Sequence, residues 1–485
     1  MAGTEVRHIV IAGNGAAGAI AAAALAISLR GSDIKITLVQ SPDEIAAAPI
    51  EVSHGGTHAF HHVLGIDEKT LIERTNGAIG LGTRYRGFRS DEQDAFVPLG
   101  SHGMTLRLVD FHHYAAKLRV EGSDEDYNGY SLPATAAAKG RFTPPGDTDD
   151  PVLKTVAYDI YVDRDFYALD MLELAGERDV TVIYATVGAV DLGDDGIITA
   201  LVSADGSRID GDFFIDCSDN RSVIAHLDTA QEFADWSGWL PCDRIASVRT
   251  KNLVPPELFS SIEAHDNGWL QQTMLRDMTV SSFVYCSKYA DDAFARQFLE
   301  ENIDGVEAGD IRVVEQCAGS YAAHWIKNCV AIGPAAVTLE PMEVSSMHLV
   351  HSSILRLLAM LPRKKISAML SEEYNRTTSI EVASARDYQI LRYALAGRRK
   401  GPFWENVGHV RNPDSLQRRI DLFRMHGRFT RVDHEFLSQA NWVSSFINFG
   451  FWPTSYDPLA DMIDEQRMRN DISRFRKNVQ RAAER

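Results

Sequence analysis

Apolar residues run almost unbroken through "RHIVIAG" (Arg7–Gly13), the pattern of a strand buried on both faces. The alanine-rich "AAGAIAAAALAISLRG" that follows predicts a buried helix stopping at Gly31, and "IKITLVQ" (Ile34–Gln40) predicts a second buried strand. Strand, helix, strand is the opening of a doubly wound nucleotide-binding sheet. Further on, "FYALDMLELAGERDVTVIYATV" predicts a helix and then a strand. "VDLGDDGIITALVSADGSRIDGDFFIDC" predicts a hairpin turning at its DDG, then a buried strand ending at Cys217. "NCVAIGPAA" (Asn328–Ala336) reads as one more strand entering a turn and helix. From Ser41 to about Arg119 the chain is irregular and rich in His and Gly, and within it "TNGAIGLGTRYRGF" (Thr75–Phe88) reads as a Gly-punctuated strand. After about Arg356 the pattern is helical to the tail, with no internal repeat or long low-complexity linker.

"GNGAAG" joins the first strand to its helix and sets Gly13, Gly15 and Gly18 in the GxGxxG spacing. The first glycine makes the tight turn, the second admits a diphosphate to the backbone, and the third lets helix and strand pack closely. The helix N-terminus, with Ala16 and Ala17 in its first turn, supplies N–H groups and positive dipole to the anion. An acidic residue normally ends the second strand and binds the ribose hydroxyls; here Gln40, followed by Ser41, takes that place without a charge. The alternative reading is that FAD affinity is reduced or lost. No second fingerprint in strand-to-helix context serves a nicotinamide nucleotide, so the pattern fits FAD on the enzyme, with reducing equivalents from a separate reductase or from the substrate. The expected fold is α/β. A discontinuous Rossmann-like FAD-binding domain is interleaved with a mixed substrate-binding sheet (residues 1–360), and a mainly helical C-terminal region (361–485) packs on the substrate side.

Composition narrows the picture. Lys and Arg total 49 against 67 Asp and Glu, a formal net charge of −18 over 485 residues, which argues against non-specific binding to nucleic acid or anionic membrane. Five scattered cysteines without a CxxC pair fit a reducing compartment. The N-terminus enters the first strand with no signal-type segment, which places the chain in the cytoplasm. His54, His58, His61 and His62 would share one helical face, and His54 with His58 has chelating spacing, but no carboxylate or cysteine ligand is convincingly placed nearby, so no metal is expected. A substrate-facing polar patch and plain structural histidines both remain open. No G-x-S-x-G supports a serine hydrolase.

The segments "IVIAGNGAAG", "VLGIDEKTLIERTNGAIGLGTRYRGF", "FHHYAAKLR", "GDFFIDCSDNRS", "NCVAIGPAAVTLEPMEVSSMHLVHSSILRLL" and "ARDYQILRYALAGRRKGPFW" together resemble the flavin-dependent tryptophan halogenase family. The resemblance runs through nearly the whole chain. It implies FAD, reduced by a partner flavin reductase, whose reaction with oxygen oxidises chloride to hypochlorous acid. It further implies passage of that oxidant to a lysine beside an aromatic, indole-like substrate, with a glutamate assisting. A place in secondary-metabolite or antibiotic biosynthesis follows, and a homodimer is compatible with it. Carried over residue by residue, "LEPMEVSS" places Glu343 on the assisting glutamate and Ser345 and Ser346 on the chloride-holding positions, with Val344 in place of a serine. "EVS" at Glu51–Ser53 matches a flavin-side segment, and Val187 and Gly333 join Gly13, Gly15, Ala16, Ala17, Gly18, Gln40 and Ser41 in the flavin-binding set.

The departures are mainly on the substrate side. The family's lysine position is Gly80, and its WxWxIP motif becomes "WLQQTM", keeping only Trp269. An aromatic pair that sandwiches indole in some members becomes Val97 and Leu99, and Ala19 replaces a tryptophan. Glycine cannot position an oxidant, though Lys69, Arg84, Arg86 or a histidine could stand in. The sequence therefore predicts a non-halogenating flavin monooxygenase or oxidase for an aromatic or indole-like metabolite. Glu343, His58 and His62 are its candidate catalytic residues. The alternatives are a halogenase with a relocated catalytic group and a non-redox or ligand-binding protein.

Overall fold

The structure is a computed structural model. It describes residues 5–13, 15–41, 49–53, 58–91, 93–144, 149–150, 152–218, 233–303, 309–343, 346–362, 366–398, 400–435 and 437–484. The chain forms two compact units, each assembled from three separate stretches. The first comprises residues 1–77, 162–247 and 311–383; the second comprises 78–161, 248–310 and 384–485.

In the first unit the opening strand His8–Gly13 pairs in parallel with Phe213–Cys217 on one side and Lys35–Gln40 on the other. Thr181–Tyr184 extends the sheet beyond Gln40, and Cys329–Ala331 extends it beyond Phe213–Cys217, both in parallel. Trp325–Ile326 closes that edge antiparallel, giving six strands among the described residues. Ile9, Val10 and Ile11 are fully buried, as an unbroken apolar run between two neighbours requires. The helix Gly15–Ser28 is buried from Ala16 to Ala26. Its alanines let it pack closely on the helices Arg164–Gly176 and Ser346–Met360. The hairpin predicted at DDG is the antiparallel pair Val187–Leu192 and Ile198–Ser203. After Cys329–Ala331 the chain makes only a 3-10 turn, Gly333–Ala335, and the helix expected there begins at Ser346.

The second unit has a mixed sheet in which Met278–Tyr285, Gly268–Met274, Ser260–His265, Gly82–Arg86 and Ala95–Pro98 are successive neighbours. All these pairs are antiparallel except Ser260–His265 with Gly82–Arg86. The segment read as one strand through Gly80 is two. Ala78–Gly80 pairs antiparallel with the strand Asp159–Asp163, and Gly82–Arg86 joins the mixed sheet. Leu81 between them is fully buried, donating its N–H to Leu258 O at 2.7 Å and accepting from Leu99 N at 2.9 Å. The C-terminal helix Glu465–Ala482 buries Met468, Ile472, Phe475 and Val479, an apolar stripe at helical spacing. Phe475 and Val479 pack with Leu81, Leu132, Ala136 and Phe259.

Candidate functional site

The residues expected to hold a dinucleotide converge at the carboxyl ends of the parallel strands, where open α/β sheets take their ligands. A Cβ on Gly13 would lie 2.6 Å from Cys217 O, and one on Gly18 would lie 3.2 Å from Gly13 O, so the tight turn depends on both glycines. Gly15 has φ +66°, and the Arg164 guanidinium lies where its side chain would go, 2.9 Å from the Cβ position. Gln40 O accepts from Ala185 N at 3.0 Å, and the Ser41 and Thr186 hydroxyls are 3.1 Å apart, which brings Gln40 and Ser41 beside Val187. Gly333 (φ +67°) follows Ile332, whose N–H donates to Asp216 O at 2.8 Å, and a Cβ on Gly333 would meet Ala17 Cβ at 3.3 Å. The Oε1 atom of Gln40 is buried and accepts no hydrogen bond among the described residues. A glycine turn at a helix N-terminus, with an unspent amide oxygen at the end of the neighbouring strand, fits the diphosphate and ribose of FAD.

The flavin-side block is organised by a carboxylate. Glu51 is 5% exposed; its Oε1 accepts from Ser346 Oγ at 2.6 Å and its Oε2 from Met347 N at 3.1 Å. Arg164 Nε lies 3.8 Å from the same carboxylate. Glu51 thus puts negative charge at the N-terminus of the helix Ser346–Met360, where the dipole favours it. Arg164 links that helix end to the glycine turn. Glu343, just before the helix, holds φ +58°, a left-handed conformation that costs a non-glycine residue about 1–2 kcal/mol. Strain of this kind clusters at functional sites. Val344, Ser345 and His54 lie outside the described residues.

The described histidines of the predicted patch separate by face. His58 Nδ1 lies 3.2 Å from Glu68 Oε1 on the following helix, and His62 is exposed. His61 is buried, with Nε2 2.9 Å from the Tyr167 hydroxyl, which is 3.1 Å from His351 Nε2. His351 stacks on Phe60 at 3.9 Å. Burial, then the neighbouring His58, depresses His61 to about 4, so it stays neutral at ordinary pH. On the same helix as His351, His348 Nε2 lies 3.2 Å from Glu381 Oε1, and Arg356 Nη2 donates to Glu381 Oε2 at 2.7 Å. Burial alone would raise the Glu381 carboxyl, but the His348 hydrogen bond and the His348 and Arg356 charges hold it at about 2. Nothing in the sequence marks this network, because Tyr167, Glu381 and the pair His348 and His351 lie on three separate helices. Among the described residues no group of three or more His, Cys, Asp and Glu is placed to hold a metal ion.

In the second unit the space beside Gly80 is filled from a neighbouring strand. A Cβ on Gly80 would lie 2.5 Å from Tyr161 Oη and 2.6 Å from its Cε2. Tyr161 is 4% exposed, and its hydroxyl donates to Gly82 O at 3.2 Å. Trp269 is fully buried, with its indole N–H 3.0 Å from the Tyr393 hydroxyl. Val97 is buried and sits opposite Thr83 in the sheet, with Leu99 just beyond that strand. Of the cations that could replace a lysine, Lys69 lies 3.9 Å from Glu73 and Arg86 3.6 Å from Asp94. Arg84 instead lies over the Phe259 ring at 4.3 Å.

The tryptophan halogenase family model matches residues 8–465. The chain belongs to the tryptophan halogenase family. It is 31% identical to Xcc4156, a flavin-dependent halogenase from Xanthomonas campestris, with TM-score 0.93 over 99% of this chain and 96% of that one. It is 30% identical to BrvH, a flavin-dependent halogenase from Brevundimonas sp. BAL3, with TM-score 0.92 over 99% and 97% of the two chains. Tryptophan 7-halogenase KtzQ of Kutzneria sp. is 24% identical over 95% of this chain and 92% of its own length. Membership makes this a halogenase-like enzyme on a flavin-dependent scaffold, and the mixed α/β fold is that of the solved halogenases. No helix among the described residues is long and apolar enough to cross a membrane.

Proposed function

We propose that this chain is a cytoplasmic enzyme that halogenates a small, electron-rich aromatic metabolite of indole type. It would use reduced FAD from a separate flavin reductase, oxygen and halide, without a lysine at position 80. The observation that carries this reading is the near-full-length likeness to two flavin-dependent halogenases at 30% and 31% identity. That likeness favours the halogenating alternative over the non-halogenating enzyme that Gly80 led the sequence to predict. Bound reduced FAD supplies the electrons that activate oxygen. The turn Gly13–Gly18 holds the diphosphate, Gln40 meets the ribose, and Ser41, Val187 and Gly333 line the same edge. Glu343 orients substrate or takes the ring proton lost as halogen is added. His58 and His62 are polar contacts for substrate. Halide belongs near Ser345 and Ser346, where the Ser346 hydroxyl is held by Glu51.

A second reading, oxygen insertion without halogen transfer, is favoured by Tyr161 filling the space beside Gly80. One reaction separates them: purified protein with FAD, a flavin reductase, NADH, oxygen, excess bromide and a panel of indoles, read by product mass. Bromine's isotope pair in the product supports the first reading. A product heavier by one oxygen and free of bromine supports the second. Turnover of neither kind, with no FAD bound, leaves a protein without flavin chemistry.

A further inference from the structure

The second unit contains a cavity of about 330 Å³, at the small end of the range of small-molecule sites. Arg84 and Phe96 reach it from directly opposed positions on adjacent strands, and Phe259 meets Phe96 edge-on with centroids 5.6 Å apart. The helix Leu132–Lys139 lines it with Ala134, Ala137 and Ala138, whose small side chains leave the space open. Gln480 of the C-terminal helix completes that side.

The lining's hydrogen-bonding capacity is unevenly spent. Asn128 donates its amide to Phe96 O at 2.9 Å, and its Oδ1 is 3.0 Å from His102 Nε2. The Thr135 hydroxyl donates to Ser131 O at 2.9 Å. Asp126, exposed at the rim, accepts from Asn128 N at 3.0 Å. Arg84 is half-buried, and its guanidinium faces the Phe259 ring with no carboxylate or other acceptor bound among the described residues. Two residues along the strand, Arg86 has Asp94 as a partner. A guanidinium fixed over an aromatic face keeps its edge donors free, and that edge matches the two oxygens of a carboxylate.

We propose that this cavity binds a small aromatic carboxylate, its carboxylate on Arg84 and its ring against Phe96 and the alanines of the helix Leu132–Lys139. The site belongs to the second unit alone and does not depend on the reading of the reaction. Its test is therefore a binding measurement on the full chain without flavin or halide, so that it can fail or succeed apart from halogenation. The probes are indole-3-acetate and its neutral isostere indole-3-acetamide, followed by calorimetry and by ligand-observed NMR.

Indole-3-acetate is expected to bind saturably at one site, at least tenfold tighter than the amide. Arg84→Met should weaken it at least tenfold and Arg84→Lys less, with the amide's binding unchanged in both. Asp126→Asn, which removes the rim's like charge, should tighten it. Ala138→Trp, a substitution at an exposed rim position, should block both probes, and it decides the matter if Arg84→Met does not fold. Equal affinity in Arg84→Met and wild type, equal affinity for acid and amide, undiminished binding in Ala138→Trp, or no saturable binding at millimolar probe would each overturn the proposal.

Discussion

Glycines mean opposite things in the two units. At Gly13, Gly15 and Gly18 a missing side chain makes a turn whose neighbour, Gln40, still has a buried oxygen to give. At Gly80 the missing side chain makes room for the Tyr161 ring, which fills the space and bonds across to Gly82 O. The first pattern leaves backbone and an amide oxygen open, and the second has its space filled by a ring. A family resemblance read along the chain treats both as glycines at known positions; only the neighbours tell them apart.

Gly80→Lys attacks this contrast most strongly. Forcing a Cβ to 2.5 Å from Tyr161 Oη inside the unit should cost about 3 kcal/mol or more, seen as a large fall in Tm or loss of soluble protein. Adding Tyr161→Gly should restore most of it. If Gly80→Lys alone folds with wild-type stability, the tyrosine is not what excludes the lysine.

In the first unit, Glu51→Gln leaves Arg164 without its buried counter-charge and weakens the start of the helix Ser346–Met360. A loss of about 2–3 kcal/mol in denaturant unfolding is expected, and unchanged stability would show that the carboxylate does not organise the block. Gly15→Ala is milder for the fold, about 1–2 kcal/mol for an alanine at φ +66°.

pH should act on both units alike. Burial is the leading cause that depresses His61 and His324 in the first unit and His102 in the second to about 4 from the ordinary 6.5. Between those values the unfolded chain takes up protons that the folded chain refuses. Their contribution to stability is therefore whole above pH 6.5 and is lost as pH falls toward 4. Glu381, held at about 2 against 4.5, extends the loss from pH 4.5 downward. Thermal unfolding should show Tm falling steadily with acid, with part of the slope gone in His61→Phe. A flat Tm from pH 7 to 4 would contradict buried neutral histidines.

The sheet of the first unit was legible because its apolar runs have no polar alternation to confuse, and the fingerprint marked its own turn. The break at Leu81 was not legible, since a chain that leaves one sheet for another keeps the same spacing of apolar residues. Tyr161 was invisible from Gly80 because the contact exists only after two distant strands pair. A helix is expected directly after the turn that follows Cys329–Ala331, but the chain first makes the short strand Val337–Thr338 and the helix begins only at Ser346; its buried polar residues His348, His351 and Ser353 interrupt its apolar period. His61 stood out only as one of a group, while Tyr167 and His351, which give it meaning, come from two other helices.

The retained half of the contrast is tested most directly by titrating reduced and oxidised FAD into the purified chain, side by side with Gly15→Ala. Saturable, near-stoichiometric binding to the wild type is predicted, with affinity at least tenfold weaker in the variant while its circular dichroism is unchanged. No binding of either flavin form to the wild type, or equal binding to both proteins, would contradict the assignment of the glycine turn to FAD.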